Sequence, residues 1–211
     1  MKTAPARIFL AMAWLLAASM GSWALIKYES TPGGSGMTPE NWPAQSSISW
    51  IPGDYRLVMF AHPQCPCTRA SINELNRLLA RCSGPVMAKV LFIQPGKMPD
   101  NWVRGSLWKS AAAIPGLSVQ ADPDGMEARR FGAETSGFTV LYAPDGRLLF
   151  KGGITPGRGH AGDSAGCAAI VSHLAGKRVG MRQTPVFGCG LLDCEMSVNA
   201  TKNEGQNGNE L

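Results

Sequence analysis

Charge is scarce in this chain of 211 residues: 17% are Asp, Glu, Lys or Arg, against 45% hydrophobic. A chain so poor in charge and rich in apolar side chains can fill a core, which excludes a disordered, collagenous or highly charged solvating protein. Cysteine is also sparse, at six residues, too few for a small disulfide-stapled scaffold. The ten methionines form no cluster, so they read as packing and not as a thioether copper box. There is no internal repeat and no dense basic block. The formal net charge is +5, but two of the 20 Lys and Arg, Lys2 and Arg7, precede the first apolar run; without them the excess is +3. That mild excess gives no footing for a nucleic-acid partner. What remains is one ordinary domain with appendages, in which sulfur is the conspicuous chemistry.

The first appendage is the apolar run Ile8–Ile26, which carries no charge. As a helix it spans roughly 28 Å, close to the hydrocarbon core of a bilayer. It reads as an uncleaved anchor or as a cleaved signal; Ser22-Trp23-Ala24 is a poor cleavage site. Both readings send the rest of the chain across the membrane, with Lys2 and Arg7 favouring a cytoplasmic N-terminus. The expected organisation is an anchor over 1–26, a Pro-, Gly- and Ser-rich linker over 27–50, a domain over 51–180, and a Cys-containing extension with a polar, disordered tail over 181–211. The domain is expected on the extracytoplasmic, periplasmic side.

Periodicity within the domain alternates strand and helix. Leu57–Ala61 is a short apolar strand. Thr68–Arg81 places Ala70, Ile72, Leu75, Leu78 and Leu79 at helical spacing. Val86–Ile93 is a strand, Trp102–Ala113 a helix, Leu117–Gln120 a strand, and Met126–Phe131 a short helix. Phe138–Tyr142 and Arg147–Lys151 flank Ala143-Pro-Asp-Gly146, a hairpin signal. Ser164–Leu174 is a final alanine-rich helix.

The motif with most chemistry is His62-Pro-Gln-Cys65-Pro66-Cys67-Thr68, which falls where a buried strand ends and an amphipathic helix begins. Pro66 biases Cys65 away from helical backbone angles and suits the first helical position, so Cys65 is expected as the N-cap with Cys67 in the first turn. Free N–H groups and the helix dipole there stabilise a thiolate, the reactive form of cysteine. Cys65 is then the nucleophile that attacks a disulfide and Cys67 the thiol that resolves the mixed intermediate. His62 could tune the thiols, shuttle protons or bind metal.

On these residues the chain resembles the thioredoxin superfamily over roughly residues 50 to 175. The resemblance implies an α/β thioredoxin-like fold, a central mixed sheet flanked by helices, acting on protein thiols and disulfides without a cofactor. More narrowly the chain is similar to the membrane-anchored RedB-like thioredoxin-fold proteins, at 62–71, Thr135-Ser-Gly137, Gly152–Thr155 with Arg158-Gly-His160, and 184–189. It departs from ordinary thioredoxins twice. Only Pro66 separates the two cysteines, and Ser136-Gly137-Phe138 stands where the superfamily has a cis-proline. Gly137 would still let a substrate backbone come close.

Secondary candidates follow. Arg158 and His160 lie in a glycine-rich loop before the last helix, where an anion could bind; the Lys-Ser/Thr ending of a P-loop is absent. Cys82 and Cys167 read as buried, inert thiols. Cys189 and Cys194 could form a local disulfide, act as a resolving or electron-relaying pair, or complete a metal site. Two rival functions share these residues. One is a metallochaperone holding copper or zinc through His62, Cys65 and Cys67. The other is a peroxiredoxin-like peroxidase, although His62 or Gln64 stands where that family has Thr or Ser.

Overall fold

Residues 55–61 are all apolar apart from Tyr55 and Arg56, and they form the central strand of the sheet. The computed structural model describes residues 4–192, apart from 52, 83, 97 and 178. The elements are α1 (Ala4–Ser30), β1 (Tyr55–Ala61), α2 (Thr68–Arg81), β2 (Val86–Gln94), α3 (Asp100–Val103), α4 (Ser106–Ala112), β3 (Leu117–Pro123), α5 (Met126–Arg130), β4 (Phe138–Tyr142), β5 (Leu148–Gly152) and α6 (Ala165–Leu174). The chain divides into two compact units, 1–31 and 32–211.

The first unit is α1. Ile8, Phe9, Leu10, Trp14, Leu15, Leu16, Trp23, Leu25 and Ile26 are all exposed on it. Arg7–Ser30 is long and apolar enough to cross a membrane by length and composition, a property that N-terminal signal sequences share.

In the second unit five strands run in the order β3-β2-β1-β4-β5. β1, β2 and β3 are parallel; β4 is antiparallel to β1, and β5 to β4. Register is set by pairs such as Phe60 with Leu91 on one side and Phe60 with Phe138 on the other. This is the thioredoxin-like α/β arrangement. The helix expected over Trp102–Ala113 is broken into α3 and α4 around Arg104-Gly105. The strand expected over Leu117–Gln120 continues to Pro123, paired along its length with β2.

Successive side chains of a strand point to opposite faces, and both faces of β1 are buried. Leu57, Met59 and Ala61 pack with Ile72, Leu75 and Leu78 of α2 and Ala169 and Ile170 of α6. Val58 and Phe60 point the other way, among Leu91, Phe131, Val140 and Tyr142. Among the described residues, the one helix on that second face is the five-residue α5, which contributes Ala128. Ile48 and Trp42 from the stretch before β1, and Val186 and Leu191 from the stretch after α6, complete the layer.

The linker expected over 27–50 therefore differs in the structure. α1 runs on to Ser30, and residues 32–50, though without regular elements, dock on the domain. Trp42 N–H donates to Gly146 O and Leu148 N–H to Glu40 O, both at 2.8 Å. The Trp42 ring meets Phe131 and Tyr142 edge-on. The physical reason is the unfilled second face, which outweighs the flexibility of the Pro/Gly/Ser composition. Similarly, residues 181–192 pack against the domain and are not a loose extension; the polar tail predicted beyond them lies outside the described residues.

One buried carboxylate fastens this layer. Glu127, 2% exposed, accepts from Ser46 Oγ at 2.7 Å, Ser47 N at 3.0 Å, Ser47 Oγ at 3.1 Å and Arg130 at 2.5 Å. Burial alone would raise its pKa; the hydrogen bonds outweigh burial and hold it below the ordinary carboxylate value. Its stabilising contribution is present above the unfolded-state pKa and is lost as pH falls through the depressed folded value. Glu127→Ala is expected to destabilise the domain by about 2–3 kcal/mol in denaturant unfolding near neutral pH. The gap from wild type should narrow under acid; a gap unchanged by pH would contradict the assignment.

Candidate functional site

β1 ends at Ala61, and the next residues turn the chain into α2. Cys65 N–H donates to His62 O at 3.2 Å, Thr68 N–H to Cys65 O at 3.1 Å, and Ala70 N–H to Cys67 O at 3.1 Å. These i to i+3 bonds make a tight entry, and Cys67, with φ −67° and ψ −27°, is the N-cap. The expected register is thus shifted by two residues: Cys65 lies two residues before the cap. Pro66, which lacks an N–H, fills the position between them at no cost in hydrogen bonding.

Two hydroxyls weld this turn to the loop before β4. His62 N–H donates to Ser136 Oγ at 2.9 Å, and Ser136 Oγ lies 2.7 Å from Thr68 Oγ1. Both residues stand in the sequence motifs named above, but neither hydroxyl had a role assigned from sequence. Their one signal was position: Thr68 directly follows the Cys-Pro-Cys turn, and Ser136 directly precedes Gly137.

Gly137 has φ +93°, a conformation side chains rarely adopt, and a Cβ there would stand 2.8 Å from Ser71 Oγ. Its N–H donates to Phe60 O at 2.8 Å. No cis peptide bond occurs among the described residues. The loop is held here by glycine backbone freedom and the Ser136 hydroxyl.

Cys65 is 2% exposed and Cys67 8%. Cys189 arrives from the far end of the chain and places its Sγ 2.9 Å from Cys65 Sγ. The three sulfurs of Cys65, Cys67 and Cys189 all lie within 4.8 Å of one another. His62 is not in this group. Its Nδ1 accepts from Gln64 N–H at 3.2 Å, and its ring stands edge-on to Trp102. Burial lowers its pKa, which favours the neutral ring.

Three thiols this close share out their protons unequally. Burial works against ionising Cys65, but side-chain and backbone hydrogen bonds from Cys189 and Thr68 outweigh it and hold its pKa below the ordinary thiol value. Burial and the Cys65 charge push Cys67 up. Burial and hydrogen bonding to Cys65 push Cys189 up to about 12. Of the three, Cys65 is therefore the thiol that ionises most readily.

Arg158 supports the cluster from the glycine-rich loop. Its guanidinium donates to Gly188 O, and its charge partly offsets the rise at both Cys67 and Cys189. A Cβ on Gly159 would be 4.0 Å from Cys67 Sγ, so the loop abuts the cysteines. His160 is exposed and closes the turn by donating its N–H to Gly157 O. Cys167 is buried in α6 and Cys82 half-buried at the end of α2; burial raises both thiols above the ordinary value. Cys194 lies outside the described residues.

The donor set suits a soft cation in kind, since it is all sulfur. Its spacing fits less well. Zinc–sulfur bonds of about 2.3 Å in a tetrahedron put sulfurs about 3.8 Å apart. The 2.9 Å between Cys65 and Cys189 would have to widen.

No family model and no curated protein matches this chain. Among solved structures, a hypothetical protein from Sinorhizobium meliloti superposes with a TM-score of 0.52 at 20% identity, covering 77% of this chain and 94% of that one. An uncharacterized conserved protein from Geobacillus kaustophilus gives 0.53 at 16%, covering 76% and 91%. A secreted Mycobacterium tuberculosis disulfide oxidoreductase gives 0.41 at 16%, covering 59% and 82%. At these identities the likeness to the first two is one of fold.

Subtracting the ultraviolet thiolate titration of Cys65→Ser from that of wild type should give a midpoint below the ordinary thiol pKa. Thr68→Val should move that midpoint up by about one pH unit, since a hydrogen bond to a charged group contributes about 1.5 kcal/mol or more. No movement would mean that Thr68 does not support the thiolate.

Proposed function

We propose that this protein is a thiol–disulfide oxidoreductase acting on protein partners, with Cys65 as the attacking thiolate. The observation that carries this reading is the convergence of three thiols at the start of α2, with Cys65 hydrogen-bonded from two sides. Attack by the Cys65 thiolate on a partner disulfide forms a mixed disulfide and releases one partner thiolate. A second thiol of the chain then attacks Cys65 Sγ and expels the other. Cys67 and Cys189 both stand within reach. His62, neutral and turned to Gln64, supports the turn and leaves proton transfer to the thiols themselves.

The same reading places the domain on the extracytoplasmic side, tethered by α1, as in the RedB-like proteins it resembles in sequence. The uncharged run, the preceding cations and the exposure of its apolar side chains support an anchor. The expected result is a full-length chain that stays with membranes after alkaline extraction; a shortened chain released to the soluble fraction would show a cleaved signal instead.

Cys65→Ser is expected to lower dithiol-driven insulin reduction by about 100-fold or more, because the nucleophile itself is removed. Exchange at the wild-type rate in Cys65→Ser would overturn the proposal.

A further inference from the structure

The segment that carries Cys189 is built into the fold as an arm. Thr184 N–H donates to Lys151 O, and Gly153 N–H to Pro185 O, both at 3.2 Å. Gly33 N–H donates to Val186 O, Ser136 N–H to Cys189 O and Leu191 N–H to Glu134 O, each at 2.8 Å. Val186 and Leu191 are buried on either side of the cysteine. Gly188 passes so close to Ser136 O that a Cβ there would collide with it. The arm therefore delivers one sulfur to one place, against Cys65.

Cys67 is placed less well for bonding to Cys65. Residues two apart on a helical turn do not face each other. Cys67 is also the N-cap, and its carbonyl accepts from Ala70 N–H at 3.1 Å and Ser71 N–H at 3.4 Å. Its sulfur also hydrogen-bonds to Cys65, but a Cys65–Cys67 bond would close a small ring around Pro66 inside the turn that opens α2. Cys189 needs only a sulfur displacement from 2.9 Å to bonding distance.

We propose that Cys189, not Cys67, is the thiol that resolves Cys65, so that the working couple of this protein is Cys65/Cys189, with the 183–191 arm closing over Cys65 between turnovers. The proposal rests on the exchange reading above and specifies its second half. In the reductive direction, Cys65 thiolate attacks a partner disulfide, and the arm lifts to admit it because Cys65 is buried beneath it. The first partner sulfur leaves as a thiolate. When the arm returns, Cys189 gives up its proton and attacks Cys65 Sγ. The Cys65–Cys189 bond forms, the mixed disulfide breaks, and the second partner sulfur leaves. Two electrons pass from the chain to the partner, whose two sulfurs each take up a proton. With a partner dithiol the same steps run in reverse.

The test uses the full chain in detergent, reduced and then equilibrated in glutathione buffers of graded potential. Samples are acid-quenched, alkylated and digested without reduction, and linked peptides are measured by mass spectrometry. The Cys65–Cys189 linkage should exceed Cys65–Cys67 by about tenfold or more. In Cys189→Ser, glutathione should remain on Cys65 as a persistent mixed disulfide. In Cys67→Ser, which leaves the arm untouched, the Cys65–Cys189 linkage should still form. Predominant Cys65–Cys67 or Cys65–Cys194 linkage overturns the proposal, as does persistent glutathionylation in Cys67→Ser but not in Cys189→Ser. If Cys65→Ser exchanges like wild type, the functional reading fails instead, whatever the linkage map shows.

Discussion

Everything in this fold follows from burying both faces of one strand. β1 alternates Leu57, Met59 and Ala61 toward one layer with Val58 and Phe60 toward the other. α2 and α6 serve the first layer. The second has, among the described residues, only α5, too short to shield it. Apolar area left in water costs about 25 cal/mol per Å², so stretches with little structure of their own are recruited to cover it. Residues 32–50 and the arm after α6 are ordered for that reason.

The chemistry inherits this arrangement. The strand whose burial demands two layers is the same strand that ends at the cysteine turn. The arm that covers its second face is thereby drawn past the turn and lays Cys189 beside Cys65. Site and core are one construction, with Val186 and Leu191 the apolar anchors that set the sulfur's position. Ser136 joins them, its backbone bonded to the arm and its hydroxyl to His62 and Thr68.

Close packing of three thiols also selects which one ionises. A single negative charge among three sulfurs suppresses the second and third ionisation, as like charges in one site do generally. Cys65 takes that charge because it receives backbone and side-chain hydrogen bonds from two elements, whereas its neighbours face the charge. Arg158 limits the penalty on Cys67 and Cys189 without removing it.

Much of this was legible in one dimension. The apolar runs at 57–61 and 86–93, the helical spacing from Ala70 to Leu79 and the hairpin at Ala143–Gly146 are local patterns. They require no knowledge of distant residues, and they give the succession of strands and helices along the chain. The Cys-Pro-Cys turn was legible too, because proline restricts its neighbours directly. Composition misled where a distant surface intervened: residues 27–50 read as a tether, yet most of them pack on a face the local pattern does not reveal. His62 was a candidate ligand by proximity in sequence, and a bond from Gln64 two residues away turned its nitrogen inward. Sequence alone determined that two cysteines stand at the start of a helix behind a buried strand. Only tertiary structure decided which sulfur stands against Cys65, because 124 residues separate Cys65 from Cys189 and only the shared burden of covering the sheet brings them together.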